Sequence, residues 1–399
     1  IAHSIYLEAH ETAKRDQKLA DQTAKWAGKS HDKTRLQAML WAAQSELPAH
    51  PSELDQSDDI LNLDNGTLDL DAFVLRDHSP QDRLTKISPV ALQSDANCPE
   101  WDKFLLRIFG GDLELISFVQ RAVGYSLTGD TSEHVLFMLY GTGANGKSTF
   151  LEALLSIAGD YGSPAEFRTF LSRQNSDAVR NDLAGLDGIR LVTAVEVGSG
   201  QSLDEPTIKQ ITGGDTIKAR FLYKEYFSFK PRLKLWLAVN HKPQIKGADD
   251  GIWRRVLLIP FEVTIPPEER DKQLPAKLQA ELPGILRWAL EGLKQWRQIG
   301  LSPPDRVRVA SAEYREESDR LADFIEDQCL DHKGDQNTFV EFSKLYVSYN
   351  SWCFSNQEKP VTKKTFATML EERGYPSAKR HMLEGQKRVR LGLKLKSQG

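Results

Sequence analysis

The sequence has few cysteines and no long apolar run, and each scarcity excludes a class of protein. Its three cysteines, Cys98, Cys329 and Cys353, lie far apart, so they form neither a C-x-x-C metal motif nor a disulfide framework. We interpret them as buried small hydrophobic residues in a reducing cytoplasm. No apolar run approaches the ~20 residues of a membrane-spanning helix, and the segment after Ile1 lacks the apolar stretch of a signal peptide. A soluble protein without a membrane partner is predicted.

Positive charge is not in excess either. The 52 Lys and Arg residues face 56 Asp and Glu residues, for a net charge of −4, which excludes a uniformly basic coat for nucleic acid. Any contact with DNA must therefore come from local patches or an enclosed channel. The 399 residues suffice for two or three domains. A start at Ile1 rather than Met indicates a fragment of a longer protein.

One stretch has the pattern of a phosphate-binding loop. Gly141-Thr-Gly-Ala-Asn-Gly-Lys-Ser148 matches G-x(4)-G-K-[ST], between an apolar run at 134–140 typical of a strand and a helical pattern at 148–155. We predict that Lys147 contacts the β/γ-phosphates of ATP and Ser148 contacts Mg²⁺. The predicted nucleotide contacts are Gly141, Thr142, Gly143, Ala144, Asn145, Gly146, Lys147, Ser148 and Thr149. A glycine-rich turn that binds nothing would leave the Gly-Lys-Ser order unexplained.

Three later apolar runs, at 189–196, 233–239 and 256–260, predict further buried strands. Glu196 ends the first and is a candidate to orient Mg²⁺ or the attacking water, with an exposed strand-end glutamate as the alternative. Asn240 follows the second and could hydrogen-bond the γ-phosphate or the water. Arg254 and Arg255 precede the third. An arginine finger for a neighbouring subunit is one interpretation of them, and surface salt bridges are the other.

Residues 211–230 predict a hairpin in which basic and aromatic residues alternate. Lys218, Arg220 and Lys224 are interleaved with Phe221 and Tyr223. Single-stranded DNA offers phosphates that require positive charge and bases that require flat rings. We therefore predict a DNA contact by Lys218, Arg220, Tyr223 and Lys224. A solvated amphipathic hairpin is the alternative.

The regions on either side of the phosphate-binding loop and its strands differ in predicted secondary structure. Residues 1–45 predict helices, Asn65-Gly66 predicts a hairpin turn, and residues 101–125 predict helices with a core stripe. A base-stacking role for Trp101 or Phe104 is the alternative to core packing. At the other end, helical patterns at 338–352 and 362–373 and an alternating strand at 389–396 predict a winged helix.

The C-terminal end is basic although the whole chain is acidic. Residues 359–396 hold eleven Lys and Arg against three Asp and Glu. The predicted DNA contacts are Lys363, Lys364, Lys379, Arg380, Lys387 and Arg388. A winged helix that docks a protein and has a solvated basic face is the alternative.

The order of these features resembles that of the superfamily 3 helicases. It runs from the Asn-Gly-Lys-Ser loop through Glu196, the Thr-Gly-Gly-Asp hairpin and Asn240-His-x-Pro to Trp-Arg-Arg255. More narrowly, it is similar to the helicase part of the phage/plasmid primase and poxvirus primase–helicase group. Residues 61–70, 98–101 and 124–129 extend that resemblance upstream, so that it covers roughly residues 50 to 300.

The resemblance implies an α/β fold with a P-loop NTPase core, AAA+-like, at residues 131–300. A mixed N-terminal domain is predicted at 1–130, and the C-terminal pattern predicts a winged-helix domain at 301–399. It implies roles for Lys147, Ser148, Glu196 and Asn240 in one subunit and for Arg255, or else Arg254, in the next. It also implies a homo-oligomeric ring, a hexamer, with 3′-to-5′ movement and an upstream primase. Other superfamily 3 branches have two adjacent acids where this chain has Val195-Glu196. Whether Glu196 is a metal ligand or a base therefore stays open.

We predict an ATP-dependent DNA helicase that moves on single-stranded DNA in replication of a phage, plasmid or mobile element, in the cytoplasm of a bacterial host. Duplex or origin DNA is a second candidate partner. The alternative is an ATP-switched DNA-binding or helicase-loading factor without unwinding activity. A kinase is disfavoured because no acceptor-pocket motif is present.

Overall fold

The computed structural model describes residues 2–46, 53–172, 180–196, 201–245, 250–318, 320–356, 360–382 and 385–396. The chain divides into two compact units, residues 1–56 and 57–399. Within the described ranges, no helix is long and apolar enough to cross a membrane. The predicted domain boundaries near residues 130 and 300 both fall inside the second unit and stay predictions.

The first unit is helical, as the sequence predicts. Its helices are α1 (Ala2–Thr12), α2 (Gln17–Ser30) and α3 (Lys33–Glu46). Asp16 caps α2 by accepting the backbone N–H of Leu19 at 3.0 Å, which satisfies one of the N–H groups that a helix start leaves without a partner.

The second unit begins with a small sheet and two helices. Strands β1 (Ile60–Leu63), β2 (Gly66–Asp69) and β3 (Val74–Arg76) form an antiparallel sheet, so the hairpin predicted at Asn65-Gly66 is present. Helices α4 (Pro99–Ile108) and α5 (Leu113–Ser126) follow. Trp101 and Phe104 are buried, which confirms them as packing residues and rules out the base-stacking alternative.

A five-stranded parallel sheet forms the centre of the second unit. Its order is β10-β4-β9-β6-β5, and every neighbouring pair is parallel. The strands from β4 onward are β4 (Leu136–Tyr140), β5 (Gly162–Pro164), β6 (Leu191–Val195), β7 (Ile217–Ala219), β8 (Phe227–Phe229), β9 (Lys234–Val239) and β10 (Val256–Pro260). The helices of this region are α6 (Lys147–Ala158), α7 (Asn181–Ala184), α8 (Glu205–Gly213), α9 (Asp250–Trp253), α10 (Leu274–Ala280), α11 (Leu282–Ile299) and α12 (Asp305–Glu317).

Both faces of this sheet are covered, as parallel sheets require. Because successive strand residues point to opposite faces, Trp236 packs in one apolar cluster with Phe150 of α6, whereas Leu235 and Leu237 pack in a second cluster with Ile208 of α8. Every residue of β9 is buried. Apart from Lys234, the central strand is therefore a continuous apolar run, which is why the sequence predicts it well.

The C-terminal region has its own apolar cluster, centred on Phe324, Leu345, Tyr349 and Phe366. Its elements are α13 (Arg320–Gln328), β11 (Cys329–Asp331), β12 (Phe339–Glu341), α14 (Phe342–Ser355), α15 (Lys363–Glu372), β13 (Ser377–Met382), β14 (Gly385–Leu391) and β15 (Leu393–Leu395). They form one sheet of order β12-β14-β13 and a separate pair, β11-β15.

Three local predictions need correction. The helix predicted at 338–352 starts instead as strand β12, since Phe339–Glu341 pair with β14. The strand predicted at 389–396 is interrupted at Gly392, whose φ is +77°. The hairpin predicted at 211–230 starts only at Ile217, because α8 extends to Gly213 and ends at Gly214 in the left-handed conformation.

The cysteines behave as predicted. All three are buried and none forms a disulfide. Burial raises the pKa of the Cys98 thiol to about 12 and that of Cys329 also to about 12, so both stay neutral and act as small apolar residues.

Candidate functional site

A glycine-rich loop joins β4 to α6. Gly146 caps the helix with a φ of +86°, and a Cβ there would lie 2.7 Å from Cγ2 of Ile108. At Gly141, a Cβ would lie 2.2 Å from Nδ2 of Asn145 and 2.3 Å from the carbonyl oxygen of Phe261. The loop therefore requires glycine at both positions. It leads into the first turn of α6, where N–H groups without intrahelical partners and the helix dipole favour an anion.

Lys147 is the first residue of α6, and only 5% of its surface is exposed. Its ammonium group donates hydrogen bonds to the Gly141 carbonyl oxygen, to Oδ1 of Asn145 at 3.1 Å and to Oδ1 of Asn240 at 3.0 Å. All three acceptors are neutral. Burial lowers the pKa of Lys147, and the negative charge of Glu196 opposes that effect. A buried cation with only neutral hydrogen-bond partners is well suited to bind an anion.

Glu196 and Asn240 follow the ends of β6 and β9, which are parallel neighbours. Oε2 of Glu196 accepts the backbone N–H of Asn240 at 2.6 Å and that of His241 at 2.8 Å. The Glu196 side chain is only 6% exposed, and hydrogen bonds from two N–H groups orient its carboxylate. Asn240 thus contacts both charges of the site, Lys147 through its side-chain amide and Glu196 through its backbone.

His241 is a member of this cluster that the sequence did not single out. Besides its N–H, its Nδ1 lies 3.8 Å from Oε1 of Glu196, while the imidazole is 66% exposed. That distance is too long for a hydrogen bond. Its place directly after Asn240 was the one sequence signal that could have indicated it.

The oxygen atoms present fit Mg²⁺ bound together with a nucleotide. Among the residues that the structure describes, no group of three or more His, Cys, Asp or Glu side chains could hold a metal. Mg²⁺ usually keeps several waters and takes only one or two protein oxygens in addition to substrate phosphates. Ser148, exposed on the first turn of α6, and Glu196 could supply those oxygens.

The two adjacent arginines have different environments. Arg255 is buried: its Nε donates to Oγ1 of Thr212 at 3.1 Å, and its Nη1 donates to the Gly251 carbonyl oxygen. Arg254 is exposed. The sequence favoured Arg255 as the residue that reaches another subunit, but α8 and α9 hold it within its own chain. Arg254 is the member of the pair that lies on the surface.

The hairpin of β7 and β8 is antiparallel and carries the predicted mixture of charge and rings. The Lys218 ammonium and the Arg220 guanidinium lie 5.1 and 4.7 Å from the ring centroid of Tyr226. Tyr223 is 99% exposed and has a φ of +62°, an unusual conformation for an aromatic residue. Lys224 is exposed beside it. Tyr226 was missed as part of this cluster, although its aromatic type in a basic stretch was a usable signal.

The predicted C-terminal contacts divide between α15 and the β13–β14 hairpin. Lys363 and Lys364 begin α15, where the Lys363 ammonium lies 5.7 Å from the Phe342 ring centroid and Lys364 is exposed. The other four occupy paired positions of the hairpin, Lys379 with Arg388 and Arg380 with Lys387.

The predicted residues therefore form separate groups. Lys147, Glu196 and Asn240 meet at one edge of the parallel sheet. In the part of the chain that the structure describes, no hydrogen bond or ion pair joins this group to the β7–β8 hairpin or to the β13–β14 hairpin.

Three family models match separate parts of the chain. Residues 1–110 match the family described as D5 N terminal like, residues 316–374 match the Poxvirus D5 protein-like family, and residues 139–255 match a family of unknown function. The resemblance predicted from the sequence, to the helicase portion of the poxvirus primase–helicase group, is confirmed by these matches.

Two relatives indicate the extent of the similarity. "Putative helicase L207/L206" of Acanthamoeba polyphaga mimivirus is 31% identical over 324 residues, which cover 76% of this chain and 34% of that protein. "Putative helicase 022R" of Frog virus 3 is 28% identical over 258 residues, which cover 60% of this chain and 26% of that protein. The chain thus spans about a third or less of these relatives' length. The expectation of a bacterial host finds no support among them.

Among solved structures, the apo C-terminal region of NrS-1 is similar, with a TM-score of 0.44 and 11% sequence identity over 77% of this chain and 78% of that one.

Proposed function

We propose that this chain is the motor of an ATP-dependent DNA helicase of superfamily 3, with a P-loop, AAA+-like core, and that it is part of a longer primase–helicase. The observation that carries the proposal is the contact of Asn240 with both Lys147 and Glu196 next to the glycine-rich loop. Asn240 thus contacts the cation proposed to bind phosphate through its side chain, and the carboxylate proposed to act on water through its backbone N–H. The names of the viral relatives support the same activity.

Residues 141–149 bind ATP in this proposal. Lys147 exchanges its neutral acceptors for phosphate oxygens, which gives the buried ammonium a charged partner. Ser148, together with Glu196 if it acts as a metal ligand, would hold Mg²⁺, which would supply positive charge against the transferred phosphoryl group. The fixed backbone of the loop supplies donors that require no rearrangement during the reaction.

Glu196 positions or deprotonates the attacking water. The two N–H groups that donate to its Oε2 hold the carboxylate in one orientation. Its other oxygen, Oε1, forms no hydrogen bond with either of these two groups. The alternative roles of metal ligand and base differ in whether Glu196 contacts Mg²⁺ directly.

Arg254 is the better candidate for the finger that completes a neighbouring subunit's site, because it is exposed whereas Arg255 is buried. This proposal requires a homo-oligomeric ring, and we propose a hexamer. ATP turnover then depends on subunit contact.

The β7–β8 hairpin is the proposed grip on single-stranded DNA, through Lys218, Arg220, Tyr223 and Lys224. Its exposed rings offer stacking surfaces and its cations offer phosphate contacts. The C-terminal region, with three helices followed by a hairpin, is proposed to be a winged helix that contributes further DNA contacts through Lys363, Lys364, Lys379, Arg380, Lys387 and Arg388.

The test is unwinding of a forked duplex by the 399-residue chain, measured with ATP hydrolysis in the presence and absence of single-stranded DNA. We expect DNA-stimulated hydrolysis and unwinding, both lost in Lys147→Ala. Lys103→Ala, which removes an exposed lysine of α4, is the matched control and should keep both activities. Unwinding that survives Lys147→Ala contradicts the proposal. ATP and DNA binding without unwinding in the unmodified chain favours the loading-factor alternative.

A further inference from the structure

Four cations oppose one another in pairs across β13 and β14. Lys379 lies directly opposite Arg388, and Arg380 lies directly opposite Lys387. Like charges at directly opposite positions of antiparallel strands destabilise the pairing. Residues 377–391 hold five Lys and Arg and a single acid, Glu384. An anionic ligand bound to the hairpin would relieve this repulsion.

The four cations lie on both faces of the hairpin. Successive residues of a strand point to opposite faces, so Lys379 and Arg388 share one face and Arg380 and Lys387 share the other. On the second face, the Lys387 ammonium lies 3.9 Å from Oε1 of Glu341. On that face Arg380 also donates to the carbonyl oxygen of Gln336 at 3.0 Å.

The first face is the more open one. Lys379 and Arg388 are both exposed, and neither contacts a carboxylate of the described residues. A ligand that neutralises all four cations must therefore present negative charge to both faces of the hairpin.

A single strand of DNA does not match this arrangement. Proteins that track single strands combine cations with aromatic rings on which bases stack, and the β7–β8 hairpin has such rings in Phe221, Tyr223 and Tyr226. Strands β13 and β14 contain no Phe, Tyr or Trp, and among the described residues the one ring beside their four cations is that of Phe339 in the neighbouring β12, 5.8 Å from the Arg380 guanidinium. A groove of duplex DNA, in contrast, has a row of phosphates on either side. The major groove, about 12 Å wide, admits a two-stranded β-ribbon.

We propose that the β13–β14 hairpin enters a groove of double-stranded DNA. Lys379 and Arg388 contact phosphates of one strand, and Arg380 and Lys387 contact phosphates of the other. The inference rests on the proposed function in taking DNA as the partner, and it assigns the two hairpins to different forms of DNA. The aromatic hairpin binds the single strand, and the purely cationic one binds the duplex.

The experiment measures binding of the 399-residue chain to a fluorescent blunt-ended duplex and to a single strand of equal length, without nucleotide, across a range of salt concentrations. Two double variants remove one face each: Lys379→Gln/Arg388→Gln and Arg380→Gln/Lys387→Gln. The matched control is Lys394→Gln/Lys396→Gln, which removes the same charge from exposed positions of the same region.

Each face variant should weaken duplex binding. Its plot of log affinity against log salt should become shallower by about 2, since each lost phosphate contact reduces the slope by about 0.9. Single-strand binding and the control should change little. A third variant tests folding: Arg388→Glu puts opposite charges across the strands, so it should keep or raise Tm while weakening duplex binding.

Three results would overturn the inference. Equal loss of single-strand and duplex binding removes the assignment to duplex, an effect confined to one face removes the groove geometry, and no effect on either DNA leaves the hairpin as a protein-docking surface. Failure of the proposed function is a separate result, because these assays contain no ATP. Lys147→Ala should retain duplex binding.

Discussion

Replacement of Asn240 by aspartate tests the contact on which the site depends. In Asn240→Asp, a carboxylate replaces the amide oxygen that lies 3.0 Å from the Lys147 ammonium. At that distance and an effective dielectric constant of ~20, the Coulomb energy is about 5.5 kcal/mol. Position 240 is exposed, so solvent screening reduces the net effect to about 2 kcal/mol.

This new ion pair has opposite effects in two assays. It should stabilise the nucleotide-free protein and raise its Tm, because the buried ammonium gains a charged partner. It should weaken binding of Mg²⁺-ATP about 30-fold. The new ion pair, worth about 2 kcal/mol, is lost when the Lys147 ammonium binds a phosphate oxygen instead. Thermal unfolding and titration with a fluorescent ATP analogue measure the two quantities.

Asn240→Ala is the matched control, because it removes the same acceptor without adding charge and keeps the backbone N–H that binds Glu196. It should change nucleotide affinity by no more than a few-fold. The reasoning is refuted if Asn240→Asp and Asn240→Ala have the same nucleotide affinity and the same Tm.

Three further predictions concern the candidate site, the β7–β8 hairpin and the helix packing. Glu196→Gln should lower kcat for ATP hydrolysis by about 10²- to 10⁴-fold with little change in ATP affinity. A wild-type kcat in this variant would exclude Glu196 from catalysis. Tyr223→Ala should weaken single-strand binding by about 1–3 kcal/mol at unchanged Tm, because the side chain is 99% exposed; unchanged binding would exclude a stacking role. Gly124→Ala should lower the free energy of unfolding, because the added Cβ would lie 2.2 Å from the backbone nitrogen of Leu293 in α11. Chemical denaturation measures this, and wild-type stability would contradict that packing.

The strands of the parallel sheet were largely predictable, because burial on both faces makes each one a continuous apolar run. Residues 256–260 were predicted and observed with the same limits, and 233–239 differs by one residue from Lys234–Val239. The edge strand Gly162–Pro164 was missed, since three residues containing Gly and Pro have no strand pattern. The order of strands in the sheet could not be predicted from the sequence either, because it depends on contacts between distant segments.

The same limit explains the error at Phe339–Glu341. The apolar spacing of residues 338–352 is compatible with a helix, but pairing with β14, some 50 residues later, makes Phe339–Glu341 a strand. Local pattern carries no information about that partner.

In the candidate site, residue types were predictable and their contacts were not. The Gly-Lys-Ser order and the strand ends identified Lys147, Glu196 and Asn240 as candidates. That Asn240 joins the other two depends on β9 lying between β4 and β6. The burial of Arg255 was also invisible in the sequence, because it results from packing against Thr212 of α8.

The most direct measurement mixes two inactive variants. Lys147→Ala lacks the ammonium proposed to bind phosphate, and Arg254→Ala lacks the proposed finger but retains an intact loop. We expect each alone to hydrolyse little ATP in the presence of single-stranded DNA, and a mixture of the two to regain activity, because some interfaces then combine an intact Lys147 with an intact Arg254. Full activity of Arg254→Ala alone, or no recovery at any mixing ratio, would contradict a site shared between subunits.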